Sequence, residues 1–394
     1  AHIMFKDMSA DPYLNSAGIS SHWPFGRGVY VSEDKGFIVW VGEEDHLRIM
    51  CMKTGTCLND VFDRLQTCLG VMEAQEGCVF AQSPDYGYVT SCPTNLGSGM
   101  RASLHIKLPC LTKKGKDVSE AKACAKTLGL SVRGVGGEHT EAGEDGTVDI
   151  SPSGRLCIKE SEIVAALYKG IKLLMEKEHA AAAGGGGDAC DGCPELATIA
   201  GIKTSHPDNL MARHFCNEYF KKQSPENQKL LLLCCKSGYE NSDSGMGLYA
   251  MSPTDYDEFK EYFDKVIRDY HKITGDLKHV NCWDLSKVEG LPEGGKLDLT
   301  ALGLGDTSMR VRVGRNLKDF PLPGNMTQDD RVKLEERMTA AFEKLIADPA
   351  YGGHYFSLTP DTKYSIDQVK YQELVDAHIM FKDMSADPYL NSAG

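Results

Sequence analysis

The sequence has no surplus of positive charge and no long apolar run. Lys and Arg number 43 against 56 Asp and Glu, a net charge of −13. A surface of that sign repels nucleic-acid phosphates and anionic headgroups, so neither nucleic acid nor membrane is expected as a partner. No stretch approaches the ~18 apolar residues of a membrane span, and no secretory signal opens the sequence. The phosphate-binding GxxxxGK(S/T) loop is missing, as is a Gly-rich dinucleotide motif following a strand. A bound nucleotide would need its phosphates held by side chains. On so acidic a protein, that requires a local cluster of arginines.

Cysteine is abundant, at 14 residues. The thiols are scattered and often at apolar positions (Cys68, Cys234, Cys235), which fits reduced, buried side chains in the cytoplasm better than a disulfide framework. Cys190 and Cys193 form a lone CDGC. With no second pair or nearby His, an exposed segment explains it more simply than zinc or redox chemistry.

The stretch around which the chain is organised is Cys92–Lys107, CPTNLGSGMRASLHIK. Gly97 and Gly99 bend the backbone. Leu104, Ile106 and Leu108 then alternate with Ser103, His105 and Lys107, the period of a half-buried strand. That strand holds Arg101 and His105 where they can meet a phosphate or carboxylate with fixed geometry. Earlier, strands are expected at Val29–Ser32, Phe37–Val41 and Leu47–Met52. Gly42–Arg48 (GEEDHLR) joins the last two and sets three acids beside a His and an Arg. A polar hairpin turn would explain the charges; the Trp-Val lead-in and the opposed Arg favour a site.

Three further segments carry charge in pattern. Ser131–Glu141 (SVRGVGGEHTE) is a Gly-hinged loop with Arg133, Glu138 and His139. Gly305–Leu317 sets Arg310 and Arg312 two apart on a strand, projecting from the same face. Such a pair repels unless an anion bridges it; a solvated edge strand is the plainer alternative. Ser237–Ala250 is a polar, Gly-rich loop between helices. Tyr86–Ser91 reads as a strand. Helices are expected at Leu58–Leu69, Val118–Leu128, Ser161–Glu178, Asn209–Lys221, Glu226–Cys235, Tyr256–Ile273 and Thr327–Ile346, the last opened by a Thr327/Asp330 capping box.

Together these segments supply the parts of a phosphoryl-transfer site. Arg48, Arg101, Arg133, Arg310 and Arg312 are permanently charged forks that match phosphate oxygens. Glu43, Glu44 and Glu138 are acids that can flank a planar guanidinium and accept its proton. Cys92 beside a bound cation would be biased toward thiolate, as electrostatic support as readily as a nucleophile. No Cys–His–Asn set at recognised spacing is present to suggest a cysteine hydrolase.

The segments CPTNLGSGMRASLHIK (92–107), EEDHLR (43–48), RGVGGEHTE (133–141), SMRVRVGR (308–315) and DSGMGLYA (243–250) resemble those of the phosphagen (guanidino) kinases, most nearly the arginine-specific ones. The resemblance implies an α+β fold: a small all-helical domain and a larger domain with an antiparallel sheet flanked by helices. It implies reversible transfer of the γ-phosphoryl of MgATP to L-arginine, giving phosphoarginine and ADP, with Mg2+ held by the phosphates and water. Arg48, Arg101, Arg133, Arg310 and Arg312 would hold the phosphates, with His105 beside them. Glu44 and Glu138 would orient the guanidinium and Cys92 would contact it. The His of HIMF, present as His2 and His378, would pack near the adenine. Ser244, Gly245, Met246 and Gly247 would cover the amino-acid end of the substrate, with Tyr249 alongside. Gly42 stands where the family usually has Asn. Met246 replaces a smaller apolar residue, and Val31-Ser32-Glu33 replaces a His-Asn-Asp segment.

The order of the segments is permuted. Residues 1–179 resemble the later part of the catalytic domain. A linker (180–187, AAAAGGGG) leads to an expected all-helical domain at 188–295, and the first part of the catalytic domain follows at 296–376. Residues 377–394 repeat 1–18 letter for letter. A permuted chain and one period of a head-to-tail tandem array both fit, with neighbouring repeats as partners in the second case. Another guanidino kinase, a protein-arginine kinase and a non-catalytic repeat scaffold are the rival readings.

Overall fold

The computed structural model describes residues 16–108, 111–112, 115–134, 142–143, 145–178, 198–300, 304, 307–349, 351–377 and 379–380. Its centre is an eight-stranded sheet in the order β10-β1-β2-β3-β9-β6-β8-β7. The strands are β1 (Gly28–Ser32), β2 (Phe37–Val41), β3 (Leu47–Gly55), β6 (Met100–Lys107), β7 (Leu130–Arg133), β8 (Thr147–Pro152), β9 (Thr307–Arg315) and β10 (Gly353–Ser357). Every neighbouring pair is antiparallel. The short β4 (Gln82–Ser83) and β5 (Gly87–Tyr88) pair separately. β9 lies between β3 and β6, so a strand from the late part of the chain completes a sheet begun by the early part. The fold is α+β, as the segment pattern implied.

Alternation within the strands divides the sheet into two faces. On one, Ile49, Cys51, Val311, Val313, Ala102, Leu104, Val148 and Ile150 are buried in a continuous apolar core. Helices α1 (Asn59–Glu73), α3 (Glu160–Glu178) and α10 (Gln328–Ala347) cover that face through Phe62, Leu65, Leu167, Leu334 and Phe342. α2 (Ser119–Thr127) adds Ala121 and Ala125. Each such side chain contributes roughly 1.5–3 kcal/mol of transfer free energy. The start of α10 has the expected capping box: Thr327 Oγ1 accepts from the Asp330 N–H at 3.1 Å, and the Asp330 carboxylate accepts from the Thr327 N–H at 2.9 Å.

The other face is apolar only toward its β1–β2 side, where Val29, Val31, Ile38, Trp40 and Met50 share a second core with the helices that follow residue 197. These are α4 (Thr198–Ser205), α5 (Leu210–His214), α6 (Asn217–Lys221), α7 (Pro225–Glu240), α8 (Asp255–Glu258) and α9 (Lys260–His271); α11 (Gln368–Asp376) closes the set. None of the described helices is long and apolar enough to cross a membrane.

Three elements differ from the sequence pattern. The helix expected over Asn209–Lys221 breaks at Phe215 and Cys216, both extended, so that Phe215 can pack against Phe220 and Tyr262. The one expected over Tyr256–Ile273 breaks at Phe259 (φ −103°, ψ 29°), whose ring is fully buried. Tyr86–Ser91 is a strand only at Gly87–Tyr88. Its later residues bond instead to scattered partners, among them Ala81, Ala250 and the Asp45 side chain.

Candidate active site

Register places the marked arginines together. Arg312 lies opposite Arg101 on one side and Met50 on the other; Arg310 lies opposite Ser103 and Met52; Arg48 lies opposite Gly314. Asp149 lies opposite both His105 and Arg133. Directly paired residues share a face, so Arg48, Arg101, Arg133, Arg310 and Arg312 all project from the face away from the large core, along with His105. A narrow cleft opens there, lined by Glu43, Glu44, Arg48, Asn95, Arg101 and Arg312 among others.

The cations are unevenly compensated. Arg101 pairs with Asp149 at 2.8 Å, and His105 Nε2 lies 3.6 Å from the same carboxylate. Burial pushes Asp149 up, but Arg101, Arg310 and His105 outweigh it and leave it below the ordinary carboxylate value. Arg48 pairs with Glu43 at 2.8 Å and lies over the Trp40 ring, 5.4 Å from its centroid. Among the described residues, the half-buried side chains of Arg310 and Arg312 have neither hydrogen bond nor ion pair. Burial, then the charges of Arg48, Arg310 and Arg101, hold the Arg312 guanidinium well below its usual value. Unpaired guanidinium groups so arranged attract anionic oxygens.

The acids sit at the mouth, on the turn between β2 and β3. Gly42 opens that turn at φ +74°, with its N–H bonded to the His46 carbonyl at 2.8 Å. A Cβ there would approach the Gly26 carbonyl oxygen to 2.5 Å. Glycine adopts this left-handed conformation without strain, and it alone leaves the Gly26 carbonyl room. Arg27, fully buried, donates from Nε to the Gly42 carbonyl at 2.9 Å. Asp45 anchors the turn from below: its Oδ1 accepts from the Ser91 N–H and from Asn316 Nδ2, both at 2.7 Å. Gly314 lets it in, since a Cβ at that position would meet Asp45 Oδ2 at 2.6 Å.

His46 completes the anchor. Its Nδ1 accepts from the Leu317 N–H at 2.9 Å, which leaves Nε2–H to donate to the Pro321 carbonyl at 2.8 Å. Burial, with the charge of Arg331, brings His46 down to about 4. A depressed His contributes stability in full above its unfolded value near 6.5 and loses it as pH falls toward 4. In denaturant titrations the wild type should therefore lose stability relative to His46→Gln as pH falls from 6.5 to 4; parallel curves would remove His46 as a source of pH dependence.

Glu44 is the acid turned inward. It is 3% exposed and accepts from Asn95 Nδ2 at 3.1 Å. Burial, then the neighbouring charges of Glu43 and Asp45, push it up to about 8, against the pull of Arg48 and Arg312. Cys92 is its buried neighbour. Its Sγ lies 3.1 Å from Thr94 Oγ1, and burial together with Glu44 raises the thiol far above its usual value. Burial is the larger cause, so the thiolate bias expected of Cys92 requires the cation beside it on which that expectation rests. A guanidinium entering between Glu44 and Cys92 would supply it.

The Thr90–Ser98 segment is clamped from several elements. Tyr256 donates to the Thr90 carbonyl at 2.8 Å, His271 Nε2 to Pro93 O at 3.0 Å, and Arg155 Nη1 to Thr94 O at 2.9 Å. The loop expected to cover the substrate is tied to the same place: the Ala250 N–H donates to Ser91 O at 2.9 Å. Ser244 and Gly245 form the open part of that loop, while Met246, Gly247 and Tyr249 are buried. Met246 and Gly247 bond through their carbonyls to Met211 N and Gly238 N. Glu138, His2 and His378 lie outside the described residues. Asp149, Asn95, Asp45 and Arg155 are additions that sequence reading did not single out. Of these only Asp149, an acid alternating with Val148 and Ile150, left a readable signal.

Comparison with known proteins gives a consistent assignment. Residues 1–181 match the family model described as ATP:guanido phosphotransferase, C-terminal catalytic domain, and residues 205–268 match the one for the N-terminal domain. The C-terminal match comes first in the chain. An arginine kinase of Anthopleura japonica is 35% identical over 401 residues, covering 100% of this chain and 51% of that protein. A taurocyamine kinase of Schistosoma mansoni is 32% identical over 409 residues, with the same coverage of each. A flagellar creatine kinase of Strongylocentrotus purpuratus is 31% identical over 411 residues, covering 100% of this chain and 33% of that one. The chain thus spans about half the length of the first two relatives, and a third of the last.

Proposed function

The chain belongs to the ATP:guanido phosphotransferase family, and on that premise we propose that it moves the γ-phosphoryl group of MgATP reversibly onto the guanidinium of L-arginine, yielding phosphoarginine and ADP as an energy buffer. The observation that carries the reading is the arginine face. Arg48, Arg101 and Arg312 line a cleft that also holds a protonatable Glu44, and Arg310 shares their face of the sheet. Phosphoryl transfer asks chiefly for in-line positioning and charge neutralisation. The guanidinium forks supply the neutralisation, and Mg2+ arrives as part of the nucleotide substrate on its phosphate oxygens and water. Holding two substrates in line is worth roughly 7–11 kcal/mol of barrier. Glu44 and Cys92, with Glu138 expected opposite, would fix the plane of the guanidinium. Glu44 would take the proton that the attacking nitrogen loses.

Arginine is favoured among guanidines by the compact Ser244–Gly247 loop, whose backbone can meet an amino-acid carboxylate and amine, and by the GGEHTE motif carrying Glu138. The test is ADP release with MgATP and arginine, taurocyamine, creatine or an arginine-bearing protein in turn, with the phosphorylated product identified by mass. Phosphoarginine is expected. Turnover with a different guanidine alone would keep the reaction class and replace the substrate. ATP binding with no turnover on any of them would favour the scaffold reading.

A further inference from the structure

The backbone carbonyls from Thr90 to Thr94, on either side of Cys92, all have donors. Thr90 O accepts from Tyr256 Oη at 2.8 Å, and Ser91 O from the Ala250 N–H at 2.9 Å. Cys92 O accepts from Thr90 Oγ1 at 2.9 Å and from the Asn95 N–H at 3.1 Å. Pro93 O accepts from His271 Nε2 at 3.0 Å, and Thr94 O from Arg155 Nη1 at 2.9 Å. Tyr256 stands on α8, and His271 is the last residue of α9. Those two helices are pinned by Tyr256, Phe259, Phe263 and Ile267, all fully buried in the second core. The Tyr256 and Phe263 rings meet edge to face, 4.9 Å between centroids. The donors therefore stand on a rigid support.

His271 is an unusual side chain for its place. A carbonyl can only accept, so Nε2 carries the ring hydrogen and Nδ1 is left as a lone pair. Nδ1 is buried and has no hydrogen-bond partner among the described residues. Burying such an atom without a donor is unfavourable, and a hydrocarbon side chain of similar size would avoid that cost. What the imidazole adds over a hydrocarbon is the bond to Pro93. Burial, against the pull of the Pro93 carbonyl, brings His271 down to about 4, so the ring stays neutral near pH 7. Pro93 opens the turn Pro93–Asn95, and the guanidinium side of the site depends on that turn. Cys92 immediately precedes it. Thr94 Oγ1 lies 3.1 Å from Cys92 Sγ, and Asn95 Nδ2 donates to Glu44 at 3.1 Å. We propose that His271 is a positioning residue: by holding Pro93 O it sets where Cys92 and Asn95 stand, and through Asn95 the carboxylate of Glu44. This role rests on the reading of Cys92 and Glu44 as the guanidinium side of the site. Arg48, Arg101, Arg310 and Arg312 are carried by strands of the sheet and not by the turn. Loss of the bond should therefore weaken guanidine binding and spare the nucleotide.

Two variants of the full chain test it, each read in two ways. His271→Leu should raise the KM for the guanidine about 2–10-fold, the ratio that one net hydrogen bond corresponds to, and leave the KM for MgATP within about twofold. His271→Gln, whose Nε2 amide can donate to the same carbonyl, should recover most of that loss. A side chain that only fills space would leave Leu equal to or better than Gln, or move both KM values together; either result overturns the proposal. The second reading needs no turnover. Modification of Cys92 by iodoacetamide, followed by peptide mass mapping, should run about 2–10-fold faster in His271→Leu than in the wild type and return toward the wild-type rate in His271→Gln. Equal rates in all three proteins would overturn the proposal. A faster rate in His271→Leu, from a protein that turns over no guanidine, would keep the positioning of Cys92 and remove the kinase reading. If His271→Leu does not fold, His271→Asn, whose amide matches Nδ1 and falls short of Pro93, takes its place as the variant without the bond.

Discussion

Replacing Glu44 by Gln is expected to cut turnover roughly 10²–10⁴-fold while leaving the substrate-free protein at least as stable at pH 8. The two effects have one cause. Glu44 is buried and raised to about 8, so near neutral pH it holds a proton unless a cation is beside it. A base poised near the working pH is efficient at taking a proton in the transition state. The same elevation makes it a liability without substrate. The folded chain binds the proton more tightly than the unfolded chain between an ordinary Glu value and about 8, so stability falls as pH rises through that window. Gln removes both the base and the slope. Denaturant midpoints from pH 5 to 8.5 would show the wild type declining relative to Glu44→Gln; parallel curves would show that Glu44 is ionised throughout.

A consequence for binding follows. A guanidinium is best held by the ionised carboxylate, so its KM should fall as pH rises from 6 toward 8.5, and that dependence should disappear in Glu44→Gln. Cys92 moves with it. The thiol is raised partly by Glu44, so the bound cation that favours carboxylate also favours thiolate.

The parts of this site readable from sequence are those fixed by local spacing. Arg310 and Arg312 are two apart, and the strand that carries them does put both on one face. The alternation of Leu104 and Ile106 with His105 placed β6, and Thr327 with Asp330 placed the start of α10. What spacing does not contain is register across strands distant in the chain. That Asp149 would lie opposite both His105 and Arg133 depends on β8 lying between β6 and β7. That Asp45 would be an anchor rather than a third substrate acid depends on Ser91 and Asn316 arriving from two other stretches. The broken helices have the same origin. Nothing near Phe215 or Phe259 interrupts the helical period; the breaks let those aromatic rings reach a core assembled from elsewhere. Glu138, named from its motif, lies outside the described residues, and its role stays with the proposal.

Arg312→Ala should separate the anion site from the fold. Arg312 has no ion pair among the described residues, and after burial the charges that lower it most are those of Arg48, Arg310 and Arg101. Deleting an uncompensated, half-buried cation relieves that repulsion, so Tm without ligand should hold or rise. With ligand the sign reverses. The triphosphate supplies the missing counter-charge, and a preorganised donor aimed at it is worth ~3–4 kcal/mol in the transition state, or about 10²–10³ in rate. ATP should raise the Tm of the wild type and raise that of Arg312→Ala much less. Arg312→Lys should recover little activity, because a point charge does not reproduce a planar fork across two phosphate oxygens. Thermal shifts with and without MgATP, beside the coupled assay, read both halves. A variant that lost stability alone yet kept its nucleotide-induced shift would mean that Arg312 braces the sheet, leaving the phosphate to the other arginines.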